Sequence, residues 1–287
     1  MLLAATDYVR PDSLQEACEL LASTANSRPL AGGQSLLNVL KHRAASVDLL
    51  VDISRLEELR SIDAGGDAVT VGAGVTYAEL EHSDALRASH PVVSEVASVT
   101  VDRQVRNRGT FGGNICFADP ASNFPPLVVA LGATMNITGP GGERTLPADE
   151  FFSGAHRTAL EPGELLRSVT LPALGGAGTG YRSLPIARES WALARAAAVV
   201  RSNGTIEDIR VVLGCVAGTP VRATAMEDKL RGEKPSPDAI KSAAAAAGEG
   251  LQPPSDSHAS GGYRRDMACV MAGRAVLSAT GGSQPDG

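Results

Sequence analysis

The sequence predicts an α+β protein in three successive parts, and three observations carry that prediction. Short runs of β-compatible residues recur, broken by turn signals such as Asn203-Gly204. Segments with helical spacing, some opened by capping residues, lie between them. A Gly-rich stretch from Leu174 to Gly180 then separates this pattern from a C-terminal part in which three strand-like runs precede three helical ones. The expected divisions are 1–55, 56–174 and 175–280, with 281–287 a disordered tail.

In the first part, Ser13 and Glu16 have capping-box spacing, and Leu14, Ala17, Cys18 and Leu21 follow at helical intervals. An extended piece through Arg28-Pro29-Leu30-Ala31 runs into Gly32-Gly33-Gln34-Ser35, a short helical turn carries Leu36, Leu37, Val39 and Leu40, and Leu49 to Ile53 reads as a buried strand. The unit is β-α-β-like. In the second part, Leu59 to Asp63 and Ala68 to Gly72 flank the hairpin composition Ala64-Gly65-Gly66-Asp67. Thr76 and Glu79 open a helix through Tyr77, Leu80 and Leu86, and Pro91 opens another carrying Val92, Val93, Val96 and Ala97. Thr134 to Thr138 and Arg144 to Leu146 form a second hairpin, and Leu165 to Leu171 a strand. In the third part, Tyr181 to Ser183, Trp191 to Val200 and Ile206 to Cys215 are strand-compatible, and Ala223 to Leu230, Pro237 to Ala247 and Arg264 to Ala279 are helical.

With 287 residues and 43% hydrophobic content the chain can bury a large core. Its 26 basic and 32 acidic residues give a net charge of −6 without a long run of either sign, which argues against a nucleic-acid partner. Cys18, Cys116, Cys215 and Cys269 lack the short paired spacing of zinc or iron–sulfur motifs and read as free buried thiols. His42, His82, His90, His156 and His258 sit singly and read as surface residues. A basic segment followed by an apolar signal core is missing from the N-terminus, as is any apolar run of membrane-spanning length, so a soluble cytoplasmic protein is expected.

Seven Gly-Gly pairs occur, so a pair alone decides nothing. Ala31-Gly32-Gly33-Gln34-Ser35 and Thr110-Phe111-Gly112-Gly113-Asn114 differ from the rest in their flanks, an apolar approach with a hydroxyl or amide residue within two positions. Such loops can turn successive N–H groups toward a phosphate, or can be ordinary tight turns, and the residues alone leave both open. The Gly-x-Gly-x-x-Gly fingerprint, the lysine-ended phosphate loop, the His-Glu-x-x-His motif and the Gly-x-Ser-x-Gly elbow are all missing.

RPLAGGQSLL at 28–37 and GTFGGNIC at 109–116 together resemble the double FAD signature of the flavoprotein subunit of molybdenum hydroxylases, the xanthine dehydrogenase and carbon monoxide dehydrogenase family. YVRPDSLQEACELL, LVDISRLEEL, VTVGAGVTYAELE, Gln104-Val105-Arg106-Asn107, Asp119-Pro120 and the run Glu161 to Leu166 are also similar to family segments, so the resemblance covers about residues 1–280. It implies a two-part FAD-binding domain, a small N-terminal and a larger middle subdomain, followed by a domain of three antiparallel strands and a helical bundle.

The resemblance further implies site residues. Ala31 to Ser35 and Thr110 to Asn114, with Gly112 and Gly113 at its centre, would wrap the pyrophosphate. Arg28, Pro29, Leu30 and Leu36 would line the approach, and Thr100 would lie against the cofactor. Asn123 stands where relatives carry an acidic residue on a ribose hydroxyl, Arg182 where Lys is frequent, and Trp191, otherwise a packing aromatic, where Tyr or Phe flanks the flavin ring; Leu166 would lie near the same cofactor. The implied role is electron transfer to an external acceptor, fed by 2Fe-2S clusters of a small subunit and by molybdopterin in a large one, in a dimer of heterotrimers. FAD is the one cofactor expected in this chain, with no metal and no catalytic residue of its own. Two rivals differ in kind. A stand-alone FAD-dependent oxidase of the vanillyl alcohol oxidase type usually needs a longer chain, and a flavin-less scaffold would have no use for intact glycine pairs.

Overall fold

The computed structural model describes residues 3–187 and 191–282. The N-terminal part runs β1 (Asp7–Val9), α1 (Leu14–Ser23), β2 (Ser27–Leu30), α2 (Leu36–Lys41) and β3 (Leu49–Asp52). Its three strands are ordered β1-β3-β2 with both pairings parallel, which the helical crossovers require. The three-residue β1 is too short to show a period in sequence. Ser13 caps α1 by accepting from the Glu16 N–H at 3.2 Å, while the Glu16 carboxylate accepts from Asp12 rather than Ser13, so the capping box closes one residue early. The predicted stripe Leu14, Ala17, Cys18 and Leu21 is buried against Val51, Ile53 and Leu165.

The middle part contains β4 (Ile62–Asp63), β5 (Val69–Gly72), α3 (Tyr77–His82), α4 (Asp84–Ser89), α5 (Pro91–Ser98), α6 (Arg103–Arg106), α7 (Phe111–Phe117), α8 (Phe124–Ala130), β6 (Thr134–Gly139), β7 (Gly142–Pro147), α9 (Ala148–Phe151), β8 (Phe152–Gly154), β9 (Arg157–Thr158) and β10 (Leu165–Leu171). Five strands form an antiparallel sheet in the order β4-β5-β10-β6-β7. The one helix expected through Tyr77, Leu80 and Leu86 is two, because Ser83 restarts it: its hydroxyl accepts from the Leu86 N–H at 3.3 Å and caps α4. Thr76 and Glu79 make the full capping box. Sequence periodicity does not reveal α7 or α8. The first holds two glycines, and the second is buried on every side with Pro125 and Pro126 in its first turn, where no N–H partner is required.

The C-terminal part comprises β11 (Gly178–Pro185), β12 (Ala192–Asn203), β13 (Thr205–Gly214), β14 (Val221–Arg222), α10 (Thr224–Leu230), α11 (Pro237–Ala244) and α12 (Gly261–Ala279). The three expected strands pair antiparallel, and the two-residue β14 extends the sheet at its edge. Gly178 and Gly180 belong to β11, where a Cβ would stand 1.8 and 2.1 Å from carbonyl oxygens of Ala279 and Ala275, so part of the Gly-rich stretch serves close helix–strand approach. Alternation in β12 puts Ala194, Ala196, Ala198 and Val200 under the helices and Ala197 and Val199 against the middle core. Gly281 and Gly282 donate to carbonyls at the end of α12, and residues 283–287 of the expected tail lie outside the described residues. Among the described residues no helix is long and apolar enough to cross a membrane.

Candidate cofactor site

A cavity of about 1260 Å³ opens between the N-terminal and middle parts. Most small-molecule sites occupy roughly 300–1,000 Å³, so this one accommodates a ligand of dinucleotide size. Its wall includes residues 28–36, Thr110, Gly112, Gly113, Asn114 and Leu166.

The first glycine loop leaves β2 and enters α2. Gly33 turns the chain at φ +75°, a conformation that favours glycine. Gly32 lies against the other loop, since a Cβ on it would stand 2.0 Å from the Arg108 carbonyl oxygen. Side chains brace the turn: the Gln34 amide donates to the Gly32 carbonyl at 3.1 Å and the Asn38 amide to the Gln34 carbonyl at 2.8 Å. The backbone N–H groups of Gly32, Gly33, Gln34 and Ser35 meet no acceptor among the described residues. Ser35, at the N-cap of α2, makes no side-chain capping bond. A row of unengaged donors on a cavity wall suits an anion.

The second loop is built differently. Phe111 N–H donates to the Val75 carbonyl and Gly112 N–H to the Ala73 carbonyl, each at 2.8 Å, Gly113 N–H to the Thr110 hydroxyl at 3.1 Å, and Asn114 N–H to the Thr110 carbonyl at 3.0 Å. The Asn114 amide donates to the Tyr77 hydroxyl at 3.1 Å, and its oxygen accepts from the Phe124 N–H at 3.4 Å. Of the two uses that the residues alone leave open, the second loop has that of a tight turn: its four consecutive N–H groups are taken by the protein itself.

Arg28, Arg55, Arg108 and Arg157 lie on the wall and form no ion pair among the described residues. Glu164, also on the wall, is held below the usual carboxylate range by Arg144, whose guanidinium donates to both its oxygens at 2.6 Å. Burial pushes the Tyr77 phenol and the Cys116 thiol up to about 12, so both wall groups are neutral at neutral pH. The wall of an acidic chain is thus locally cationic. No cluster of His, Cys, Asp or Glu among the described residues could hold a metal.

Four expected residues stand off the wall. Thr100 is buried, donating to the Val96 carbonyl at 2.6 Å and accepting from the Asn123 amide at 2.9 Å. The Asn123 oxygen accepts from the Tyr181 hydroxyl at 2.8 Å and from Arg195, so the acceptor expected for a ribose hydroxyl is engaged within the protein. Arg182 faces Glu95 at 3.7 Å and donates to the Ser278 hydroxyl at 3.0 Å, tying β11 to α5 and α12. Trp191 is 61% exposed, and its carbonyl accepts from the Ile186 N–H at the β11–β12 turn. Sequence reasoning missed Tyr77, Arg108, Cys116 and Arg157 as wall residues. Tyr77 and Cys116 carried only a packing signal, and the arginines carried none.

This fold and cavity define a dinucleotide-binding α+β protein. The chain belongs to the FAD-binding medium subunits of the molybdenum hydroxylases, an oxidoreductase family. Residues 4–174 match the FAD binding domain in molybdopterin dehydrogenase, and residues 179–279 the CO dehydrogenase flavoprotein C-terminal domain. The glyceraldehyde dehydrogenase medium chain of Sulfolobus acidocaldarius is 38% identical over 92% of this chain and 94% of its own. The carbon monoxide dehydrogenase medium chain of Hydrogenophaga pseudoflava is 37% identical over 95% of this chain and 96% of its own. Among solved structures, carbon monoxide dehydrogenase from Hydrogenophaga pseudoflava lacking the Mo-pyranopterin moiety superposes with a TM-score of 0.95, at 38% identity over 98% of this chain and 99% of that one. Quinoline 2-oxidoreductase from Pseudomonas putida 86 gives 0.93 at 33% identity, over 98% and 99%.

Proposed function

We propose that the chain is the flavin station of a heteromeric molybdenum hydroxylase, receiving electrons from 2Fe-2S clusters of a small subunit and handing them to an external acceptor. The observation that carries this reading is the row of unengaged N–H groups from Gly32 to Ser35 on the wall of a dinucleotide-sized cavity. Those donors would hold the pyrophosphate, Arg28 and Arg108 would supply its counter-charge, and Thr110, Gly112, Gly113, Asn114 and Leu166 would shape the opposite wall. The family resemblance would put Asn123 by a ribose hydroxyl, Arg182 near the adenine or isoalloxazine, Trp191 beside the flavin ring and Thr100 against the cofactor, roles that the cavity wall, which none of the four lines, does not carry.

When bound, FAD supplies redox chemistry in single electrons and in pairs. The chain's residues bind it, orient it and keep water from its buried face, and no side chain needs to act as nucleophile or general acid. A large molybdopterin subunit would carry substrate hydroxylation, in a dimer of heterotrimers. Relatives described as medium chains support a multi-subunit assembly. The four free cysteines suit the cytoplasm.

A visible absorption spectrum tests the reading. The purified chain should be yellow or become so with added FAD, and Gly33→Val should fold yet retain no flavin. A folded parent that stays colourless with FAD would overturn it. Oxidation of a small substrate by the flavin-loaded chain without partners would favour the stand-alone oxidase instead.

A further inference from the structure

A buried cation lies behind the second loop. Arg195 in β12 is 2% exposed, on the strand face turned to the middle core. Its register partner in β13 is Gly214, where a Cβ would stand 2.7 Å from the Arg195 Cγ, so the sheet leaves room for this side chain. The guanidinium donates to the Asn123 oxygen, to the Tyr181 hydroxyl at 2.9 Å and to the Cys215 sulfur at 3.2 Å. No carboxylate pairs with it among the described residues. Burial pushes the Tyr181 phenol up to about 12, so that partner is neutral at neutral pH.

Desolvating a cation without a carboxylate counter-ion is costly, and a fold that keeps one has offset that cost elsewhere. The hydrogen bonds around it run one way. Arg195 donates to Asn123 and Tyr181, Tyr181 donates to Asn123, Asn123 to Thr100, and Thr100 to the Val96 carbonyl. The Asn123 amide is thereby fixed with its oxygen toward the charge. The next residue, Phe124, donates its N–H to Asn114, which lies on the cavity wall. The charge thus stands behind the wall, one hydrogen bond from Asn123, whose chain neighbour Phe124 holds Asn114, and in a poorly screened interior a fixed charge is felt beyond its contacts.

We propose that Arg195 is a positioning residue of the flavin site, a buried cation without carboxylate counter-ion that, held through Asn123 and Tyr181, biases bound flavin toward its reduced, negatively charged form. The inference rests on the FAD reading above. Uptake of two electrons from the iron–sulfur partner and one proton from water leaves the oxidised ring with one added negative charge, and a nearby cation stabilises that product over the neutral starting form.

The test is the midpoint potential of the full chain loaded with FAD, titrated reductively against indicator dyes. Asn123→Asp places a carboxylate on the guanidinium, and Arg195→Met removes the charge; both should move the potential to more negative values, while Arg195→Lys should stay near the parent. Without FAD, Asn123→Asp should also melt above the parent, because the buried cation gains its counter-ion. If the parent binds FAD and both Asn123→Asp and Arg195→Met retain its potential, the proposal falls and the FAD reading stands. If Arg195→Met fails to fold, Asn123→Asp alone decides. A parent that takes up no FAD sinks both.

Discussion

The two glycine loops share a sequence pattern and differ in what their glycines do. In the first, Gly33 sits at φ +75° and the N–H groups from Gly32 to Ser35 have no protein acceptor. In the second, Gly112 and Gly113 lie in the first turn of α7 and the four N–H groups from Phe111 to Asn114 are taken. In the first pair Gly33 serves backbone conformation and Gly32 close approach to the Arg108 carbonyl, and the turn leaves donors free for a ligand. The second serves close approach, since a Cβ on Gly112 would stand 2.4 Å from the Ala73 Cβ. Gly-Gly in a sequence therefore marks either a loop that binds or a buttress that shapes the cavity, and only the packing tells which.

Alanine at each glycine separates the two uses. The largest loss is expected for Gly112→Ala, which drives a methyl group into Ala73, backbone included, inside a fully buried contact. Overpacking of this kind costs about 1–3 kcal/mol, seen as a lower denaturation midpoint, with flavin lost through distortion of the wall. Gly33→Ala should cost about 1–2 kcal/mol from the left-handed conformation, eased by the flexible Leu37 side chain it meets, but should lower flavin content more than its stability loss explains. Equal flavin loss per unit of destabilisation in the two variants would erase the distinction between the loops.

Alkaline pH should strain the second loop selectively. The Tyr77 hydroxyl accepts from Asn114, and its folded pKa of about 12 lies above the ordinary 10 of a phenol. Its raised value stabilises the fold fully below pH 10, and that contribution is lost as pH rises toward 12. Tyr77→Phe should be less stable than the parent by about 1 kcal/mol at pH 8, for one lost hydrogen bond, and should overtake it within about one pH unit above the ordinary phenol value, because each unit between the two pKa values takes about 1.4 kcal/mol from the parent. Thermal melts of both across that range check the crossing; parallel curves would mean that the fold leaves the Tyr77 pKa at its ordinary value.

The sequence made the first loop legible because everything about it is local: an extended approach, two glycines and a helix start within ten residues. The long C-terminal strands and α1 were legible for the same reason. Other features depend on partners distant in the chain. The β1 strand exists by pairing with β3, α8 is apolar on all sides, and Asn123 is claimed by Tyr181 and Arg195, some 58 and 72 residues away. No spacing rule announces that an asparagine's acceptor is already engaged by a guanidinium from another sheet, so its ribose-holding role followed from family resemblance and not from its surroundings.

Gly113→Ala is the finest probe of the buttress. Alanine in place of glycine within a helix gains about 1 kcal/mol. The new Cβ would stand 2.6 Å from the Thr110 hydroxyl oxygen, the group that caps α7, and turning that hydroxyl away costs about 1 kcal/mol in the lost cap. The two effects cancel, so the midpoint should stay within a few tenths of a kcal/mol of the parent. Flavin content should stay high as well, because the Gly113 N–H is a capping donor within the protein and the free donors lie on the other loop. A stable Gly113→Ala chain that is colourless and refuses added FAD would instead place the ligand contact at the second loop, and the assignment of roles to the two glycine pairs would have to be exchanged.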